Sequence, residues 1–302
     1  RICSNCQNLE ISEDAGIPLP DNDGTCPVCK VPYDKNAKVR QYVEPDGFIA
    51  DPKSGKYAKQ YVKYIENQMR SALLPEQHLE PSLQTKFYTL SYNRTGKLLY
   101  VNEGSYGRGF RFSLGSFKFF DDSDSDSAYS LGHIQTTDTL NISFHERREL
   151  PVPPAHDLSF WISMMYAILQ GASISLQIER RDIDGVLSPR IKTPSSWEQN
   201  IVLYDNVPGG AGHVKNIHDN FDMVLYEANR ILNCNDCAPE TSCNHCLRDF
   251  NNQYYYSILK REAALKFLDG YLSHRYPSKD QIPGAFKVVA PNLQDWILRK
   301  IV

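Results

Sequence analysis

The stretch from residue 201 to residue 246 constrains the fold most, because strand, turn, helix and metal signals follow one another there without a gap. A short apolar run with a β-branched start, at 201–204, predicts a buried strand. The next eight residues, 205–212, include one proline and three glycines and predict a turn. Apolar residues then recur at three-and-four spacing from 214 to 232, which predicts one long helix with a single apolar stripe.

Two thiol pairs follow that helix at Cys-x2-Cys spacing, Cys234 with Cys237 and Cys243 with Cys246. Each pair can place two thiolates on one side of a tetrahedral Zn²⁺, at a Zn–S distance of about 2.3 Å. The alternatives are two disulfides or unconnected core cysteines. We predict zinc, because all eight cysteines of the chain belong to such pairs and no feature is typical of a secreted protein.

A second set of thiol pairs opens the chain, and its ligands are Cys3, Cys6, Cys26 and Cys29. This spacing predicts a zinc ribbon over residues 1–34, with almost no apolar core of its own. Metal binding would supply on the order of 10 kcal/mol of its folding energy. Four thiolates leave no open position on the metal, so we expect two structural zinc ions and no catalytic one.

Composition narrows the class of protein further. A chain of 302 residues can bury a core and predicts two or three units. A net charge of -3 gives no global positive field, so any nucleic-acid contact must use local patches. We expect no apolar run that could cross a membrane. Paired thiols without a secretion signal predict a cytoplasmic protein. The chain enters a metal motif directly at Arg1, which predicts that it is part of a longer protein.

The segment 35–150 predicts one helix followed by a β-rich region. Helical spacing covers 57–69. Alternating patterns then predict a small antiparallel sheet with strands at 87–90, 98–101, 110–112 and 140–144, and the polar residues 93–96 predict a turn between the first two.

The prolines within 151–154 mark the start of a third domain, 151–302. The pattern of this segment predicts an α/β zinc-binding fold with a four-cysteine knot. Asp157 is expected to cap a helix that Gly171 ends, and a strand is expected at 174–178. A loop at 188–196, a last helix at 257–271 and a short apolar stripe at 292–301 complete the domain. The predicted fold class is therefore α+β.

The phrase YDNVPGGAGHV, the helix after it, and the four cysteines followed by CLRDFN resemble the MZB (MrfA zinc-binding) domain. The resemblance covers about residues 157–268, with weaker echoes at 39–48 and 136–144. It implies the C-terminal region of superfamily 2 DNA helicases, or of DrmB-type helicase partners in DISARM-like anti-phage defence. The expected role is a non-motor accessory region that docks on the ATPase motor, on the same polypeptide or a separate subunit, and helps to guide DNA in defence or repair.

The sequence does not predict the ATPase motor itself. A Walker loop needs G-x4-G-K-[ST], so that backbone N–H groups, a lysine and a hydroxyl converge on phosphates and Mg²⁺. The sequence contains no such stretch. We therefore expect no catalytic site here, and the ATPase to be encoded elsewhere.

The glycine-rich turn is the candidate phosphate site, because it leads into a helix N-terminus whose N–H groups and dipole favour an anion. Its residues are Asp205, Gly209, Gly210, Gly212 and His213. The opposing interpretation is architectural: the glycines allow close packing of strand and helix, and Asp205 or Asn206 caps the turn. A hydrolytic site centred on the PGGAG turn is a third possibility.

A local group of basic and aromatic residues is the candidate DNA contact. It comprises Arg180, Arg181, Arg248, Tyr254, Tyr255, Tyr256, Lys260 and Arg261. Cations would pair with phosphates and tyrosines would stack on bases. The equally weighted alternative is a half-buried aromatic cluster with a solvated basic rim. At the level of function, the competing hypothesis is a protein–protein adaptor without nucleic-acid binding.

Overall fold

A computed structural model describes part of the chain: residues 32, 41–43, 69–73, 82–102, 110–113, 118–121, 129–145, 157–187, 191–192 and 197–275. The mixed helix and antiparallel-sheet architecture confirms the predicted α+β class. The chain forms two compact units. One comprises residues 1–78, 95–137 and 188–197; the other comprises 79–94, 138–187 and 198–302, and we call it the zinc-knot unit. The predicted boundaries at 34 and 150 stay a prediction, and the predicted ribbon and the 292–301 stripe lie outside the described residues.

The strands, in chain order, are β1 (Gln41–Val43), β2 (Met69–Leu73), β3 (Leu83–Gln84), β4 (Tyr88–Asn102), β5 (Phe110–Ser113), β6 (Lys118–Asp121), β7 (Tyr129–Phe144), β8 (Ile183–Leu187), β9 (Ile191–Lys192), β10 (Trp197–Glu198) and β11 (Ile201–Asp205). The helices are α1 (Leu158–Leu176), α2 (His213–Asp219), α3 (Phe221–Leu232) and α4 (Arg261–Arg275). Short 3₁₀ turns occur at Arg180–Asp182 and Phe250–Tyr255.

In the first unit, β2 pairs antiparallel with the second half of β4, with Met69 opposite Asn102. β5 and β6 form an antiparallel pair, and β1 runs parallel to the start of β7. The helix predicted over 57–69 is wrong at its end, because Met69 begins strand β2, where pairing with β4 supplies the backbone hydrogen bonds. Residues 57–68 lie outside the described part of the chain.

All four predicted strands are present, but the turn predicted at 93–96 is wrong. β4 continues through it as one strand. Its neighbour β7 is similarly long, 16 residues against 15, and the Thr139 hydroxyl donates to the Asn93 carbonyl at 3.5 Å. A long partner strand therefore keeps this polar, glycine-containing segment extended against its local turn preference.

The sheet of the zinc-knot unit has the strand order β4-β7-β11-β8. β11 is the predicted strand at 201–204, and all five of its residues are buried. It lies antiparallel between β7 and β8, with Ile201 opposite Ile142 on one side and Leu187 on the other. A central strand covered on both faces needs an apolar sequence, and IVLY supplies it.

Helix α1 is the core helix of this unit and packs on α3, α4, β8 and β11. As predicted, Asp157 caps it, since its carboxylate accepts the Phe160 N–H at 3.2 Å. The helix is long and apolar enough to cross a membrane by length and composition, with mean hydropathy 1.2, which the sequence analysis did not anticipate. Because 67 % of that window is buried against the rest of the unit, a core role accounts for this composition.

Gly171 does not end α1, contrary to expectation. The helix continues to Leu176 and ends at Gln177, which adopts φ 55°. A Cβ on Gly171 would lie 2.7 Å from the Val224 carbonyl oxygen and 2.8 Å from the Ala228 nitrogen, both in α3. The glycine therefore allows two helix backbones to approach closely. The strand predicted at 174–178 is also wrong: 174–176 is helical, and the strand β8 begins at Ile183.

The single helix predicted from 214 to 232 is two helices, α2 and α3, broken at Asn220 (φ -122°, ψ 27°). The Asn220 side-chain amide donates to the Asn216 carbonyl at 3.0 Å, and its own N–H also bonds that carbonyl, so the asparagine closes α2 locally. The apolar stripe survives the break, and its buried members are Val214, Ile217, Phe221, Val224, Leu225, Ala228 and Leu232.

The last helix begins later than predicted, at Arg261 rather than residue 257. The N–H groups of Arg261 and Glu262 both donate to the Pro239 carbonyl, and the Lys260 N–H donates to the Ser163 hydroxyl at 2.8 Å. These tertiary acceptors fix the start of α4. The 3₁₀ turn at 250–255 lies before this helix.

Candidate metal centre

The four sulfurs of Cys234, Cys237, Cys243 and Cys246 lie within 4.8 Å of one another. Three of the separations, 234–243, 237–246 and 243–246, are 3.8 Å. A tetrahedral ion with Zn–S bonds of about 2.3 Å requires sulfurs about 3.8 Å apart. A disulfide requires about 2.05 Å, and all four cysteines are free thiols. The donor set and its geometry fit Zn²⁺, and the disulfide alternative is wrong for this cluster.

Local structure positions the two thiol pairs, which lie in the segment 234–246 that we call the zinc knot. The first pair follows α3 directly, where the Asn233 N–H caps the helix by bonding the Asn229 carbonyl at 3.0 Å. In the second pair, the Cys243 N–H donates to the Cys246 sulfur at 3.1 Å. The Asp236 N–H donates to the Cys234 sulfur at 3.4 Å. Such N–H groups stabilise negative charge on thiolate sulfur.

Without a metal, burial raises the pKa of the Cys246 thiol to about 12. The ionised form required of a ligand is therefore disfavoured in the metal-free chain. A bound cation reverses this preference, because thiolate ligands release their protons when the metal binds. The predicted second centre, with Cys3, Cys6, Cys26 and Cys29, lies outside the described residues, so one cluster is shown.

Arg261, predicted from sequence as a DNA contact, is buried beside the zinc knot with 2 % of its surface exposed. Its guanidinium donates to the Leu232 carbonyl at 2.5 Å and to the carbonyl of the ligand residue Cys237. The side chain thus links the end of α3, the zinc knot and the start of α4.

Hydrogen bonds and one contact between a cation and an aromatic ring hold the segment after the zinc knot in place. The Arg248 guanidinium donates to the Ser242 hydroxyl at 3.1 Å and lies 4.8 Å from the Tyr256 ring centroid. The Tyr256 hydroxyl donates to the Asp249 carbonyl at 2.8 Å. Asp249 and Asn252 form a capping box around the 3₁₀ turn. This turn carries Phe250, which is 61 % exposed and which the sequence analysis missed because a single phenylalanine gives no pattern.

The two arginines after α1 differ in their surroundings. Arg180 lies over the Tyr166 ring at 5.5 Å, donates to the Ile183 carbonyl at 2.6 Å, and lies 3.6 Å from both Asp184 and Asp249. Arg181 is 77 % exposed and pairs with Glu179 at 2.7 Å. Only Arg181 of this pair is placed to reach an external phosphate.

Lys260 is exposed, whereas Tyr255 packs against Tyr166 with ring centroids 6.0 Å apart. The side chain of Tyr254 lies outside the description. The predicted DNA patch therefore does not form one surface: Arg180 and Arg261 point into the unit, and Arg181, Arg248 and Lys260 stay as candidates.

The carboxylate of Asp205 occupies the glycine-rich turn. It accepts three backbone N–H groups, from Ala211 at 2.6 Å, His213 at 3.1 Å and Val214 at 2.9 Å. Asp205 is fully buried. The N–H groups that an external phosphate would use are therefore already bound by an internal anion, which favours the architectural interpretation.

The three glycines of the turn allow its backbone conformation. Gly209, Gly210 and Gly212 have φ of 84°, 79° and 82°, which glycine adopts without strain. At Gly210 a Cβ would also lie 2.4 Å from the Asp138 carboxyl carbon. His213 faces Asp182 at 4.0 Å, and the hydrogen bonds of the Asp205 carboxylate run to backbone N–H groups. This arrangement offers no support for a hydrolytic pair at the turn.

A serine, a histidine and an aspartate, which sequence reasoning did not single out, form a hydrogen-bonded chain. Ser82 Oγ lies 3.0 Å from His218 Nε2, and His218 Nδ1 lies 2.8 Å from Asp219 Oδ1. Hydrogen bonding by Lys215 and then by His218 lowers the pKa of Asp219. The serine hydroxyl also binds the Leu90 carbonyl at 3.1 Å and accepts the Tyr92 N–H at 3.1 Å. These bonds use the hydroxyl to join the residue before β3 to β4, so we interpret this hydrogen-bonded set as structural.

Comparison with known proteins finds a family model that matches the segment containing the zinc knot. Residues 164–247 match the model of the MrfA Zn-binding domain (MZB). The match lies inside the predicted range of 157–268 and confirms the resemblance. Over 95 residues the chain is 30 % identical to Druantia protein DruE of Escherichia coli (strain UMEA 4076-1), a stretch that covers 32 % of this chain and 5 % of DruE. The chain thus spans a small part of that relative.

Solved structures of a helicase give weaker similarities. The DUF1998 helicase MrfA bound to DNA is 15 % identical, covers 68 % of this chain and 25 % of that chain, and has a TM-score of 0.44. The same helicase bound to DNA and AMPPNP is 11 % identical over 68 % of this chain and 22 % of that chain, with a TM-score of 0.31. Similarity at this level does not establish a shared fold.

Proposed function

We propose that the chain is a non-motor, zinc-binding accessory region of a DNA helicase system, which docks on the ATPase motor and helps to guide DNA. The observation that carries the proposal is the four-cysteine cluster inside the MZB match at 164–247. The match to the MrfA Zn-binding family and the similarity to DruE support a helicase-associated setting, and we propose cytoplasmic anti-phage defence or DNA repair as the process. The motor lies on the same polypeptide or on a partner subunit.

Candidate DNA contacts are the exposed cations of the zinc-knot unit. Arg181 and Lys260 lie on the surface, and Arg248 holds its guanidinium against a tyrosine ring beside the exposed Phe250. Cations would bind phosphates, and a rigid aromatic side chain is suited to stack on an unpaired base. The net charge of -3 limits the electrostatic contribution to these few groups.

The test is binding of short single-stranded and duplex DNA by the zinc-loaded protein at two salt concentrations. Phosphate contacts make the affinity fall steeply as salt rises. We expect the double variant Arg181→Ala with Lys260→Ala to bind DNA several-fold more weakly. Arg230→Ala is a matched control, since Arg230 is also exposed and paired with a glutamate, Glu227, on α3. DNA affinity that is absent, independent of salt, or reduced equally by the control would contradict the DNA role.

The second candidate is a protein–protein adaptor without nucleic-acid binding. Phe250 favours it, because an exposed aromatic side chain on a capped, rigid turn loses little entropy on binding a partner pocket. An adaptor would bind its helicase partner with unchanged affinity in the Arg181 and Lys260 double variant and would lose affinity in Phe250→Ala. Its DNA affinity would be negligible at both salt concentrations.

A further inference from the structure

Arg261 is a buried cation whose charge the packing around it does not explain. Its guanidinium donates to two neutral carbonyls, those of Leu232 and Cys237. The buried Nε has no hydrogen-bond partner among the described residues. A guanidinium stays charged at all relevant pH values, so burial does not neutralise it.

Within the described ranges, no aspartate or glutamate pairs with Arg261, although the arginines at 180, 181 and 230 all pair with carboxylates. A buried charge without a counter-charge costs several kcal/mol. The fold therefore requires an anion close to this side chain.

The metal-loaded zinc knot supplies an anion next to Arg261. Zn²⁺ bound by four thiolates carries a formal charge of -2, which is two positive charges against four negative ones. The Arg261 guanidinium binds the backbone carbonyl of one ligand residue, Cys237. Burial raises the pKa of the Cys237 thiol, and the charge of Arg261 acts to lower it. The four sulfurs lie within 4.8 Å of one another, so the charge of the centre is concentrated beside the residue that the guanidinium binds.

We propose that Arg261 is the counter-charge of the metal centre: it stabilises the zinc–tetrathiolate anion and links it to the packing of α3 and α4. It is a positioning residue for the metal and not a DNA contact. Metal loading and the α3–α4 contact are then linked, because metal loss leaves the guanidinium buried without an anion. The inference depends on the metal centre alone and not on the proposed DNA role.

Three substitutions test the charge and the hydrogen bonds separately. Arg261→Gln keeps a hydrogen-bond donor and removes the charge, Arg261→Lys keeps the charge and loses the planar fork, and Lys266→Met is the control. Lys266 is a suitable control because it is an exposed cation on the same helix, α4, and pairs with Glu262 at 2.6 Å. The readouts are the apparent zinc affinity in competition with a chelator and the rate of zinc release to that chelator.

We expect Arg261→Gln to weaken zinc binding about 10- to 100-fold, the range typical of residues that support metal ligands. Arg261→Lys should retain clearly more affinity than Arg261→Gln, and Lys266→Met should remain within about twofold of wild type. If the glutamine variant fails to fold with zinc while the lysine variant folds and binds it, the charge requirement is supported in the same way.

Equal affinities for the lysine and glutamine variants would overturn the counter-charge role, as would a glutamine variant that binds zinc like wild type. Unchanged zinc affinity together with weaker DNA binding would show that Arg261 contacts DNA after all. A wild-type protein that binds no DNA would defeat the proposed function and leave these zinc measurements fully interpretable.

Discussion

The carboxylate of Asp205 offers the sharpest test of how the glycine-rich turn works. Replacing it by alanine removes the acceptor of three N–H groups, of which the Val214 N–H is buried and those of Ala211 and His213 lie nearer to solvent. A buried orphan N–H costs about 1–3 kcal/mol, and each hydrogen bond to a charged group contributes about 1.5–3 kcal/mol. Because water can replace part of the outer two, we expect a loss of about 2–6 kcal/mol in the free energy of unfolding.

Asp205→Asn should cost less, about 1–3 kcal/mol, because one amide oxygen can still accept from two of the three N–H groups. The assay is urea-induced unfolding of the zinc-loaded protein, followed by circular dichroism, with the m-value checked to be unchanged. Asp182→Ala is the control. Asp182 lies beside the same turn, but its side chain is partly exposed and its 4.0 Å distance to His213 is long for an ion pair. An alanine variant within about 0.5 kcal/mol of wild type, the range of ordinary surface substitutions, would refute the architectural role and reopen the turn to an external phosphate.

Three further predictions concern helix packing, the metal and a half-buried carboxyl group. Gly171→Ala should destabilise the protein by about 1–3 kcal/mol in urea unfolding, because the new Cβ meets α3 backbone atoms that cannot move aside; a more stable variant would contradict the close helix approach. Cys246→Ser should lose zinc and the cooperative thermal transition of the zinc-knot unit, so an unchanged melting curve would be evidence against a structural metal. Burial raises the pKa of Asp184, so the native state holds this proton more tightly than the unfolded chain does. The group's contribution to stability is present below the unfolded-state pKa of about 4 and is lost as pH rises through the higher folded-state pKa; the stability of wild type relative to Asp184→Asn should therefore decrease as pH rises above about 4, and an increase would contradict this prediction.

Local chemistry made part of the fold predictable. Asp157 caps α1 and the Cys-x2-Cys pairs converge, because the side chain of a cap and the spacing of metal ligands act within a few residues. The buried strand β11 was likewise predicted from its composition alone.

The errors have long-range causes. The sequence predicts Gly171 as a helix stop, whereas it is a site of close approach for α3, more than fifty positions further along the chain. The segment 93–96, predicted as a turn, is extended because it pairs with β7, a strand some forty residues further along the chain. Arg261 resembled a surface cation because its acceptors, Leu232 and Cys237, lie 29 and 24 residues earlier in sequence. No spacing pattern in a single sequence reports such contacts.

The break at Asn220 had a local signal, an asparagine four residues after another asparagine, whose side chains hydrogen-bond at 2.8 Å. The apolar stripe that runs through the break concealed it, because both helices present the same face to the core.

Zinc analysis of a variant in which Cys3, Cys6, Cys26 and Cys29 are all replaced by serine tests the metal centre most directly. That variant isolates the zinc knot. We expect one zinc per chain, with X-ray absorption showing four sulfur ligands at about 2.3 Å, and loss of that zinc when Cys246→Ser is added. A folded variant with no bound zinc, or one whose remaining thiols are joined in disulfides, would contradict the central claim that a metal–tetrathiolate centre holds this unit together.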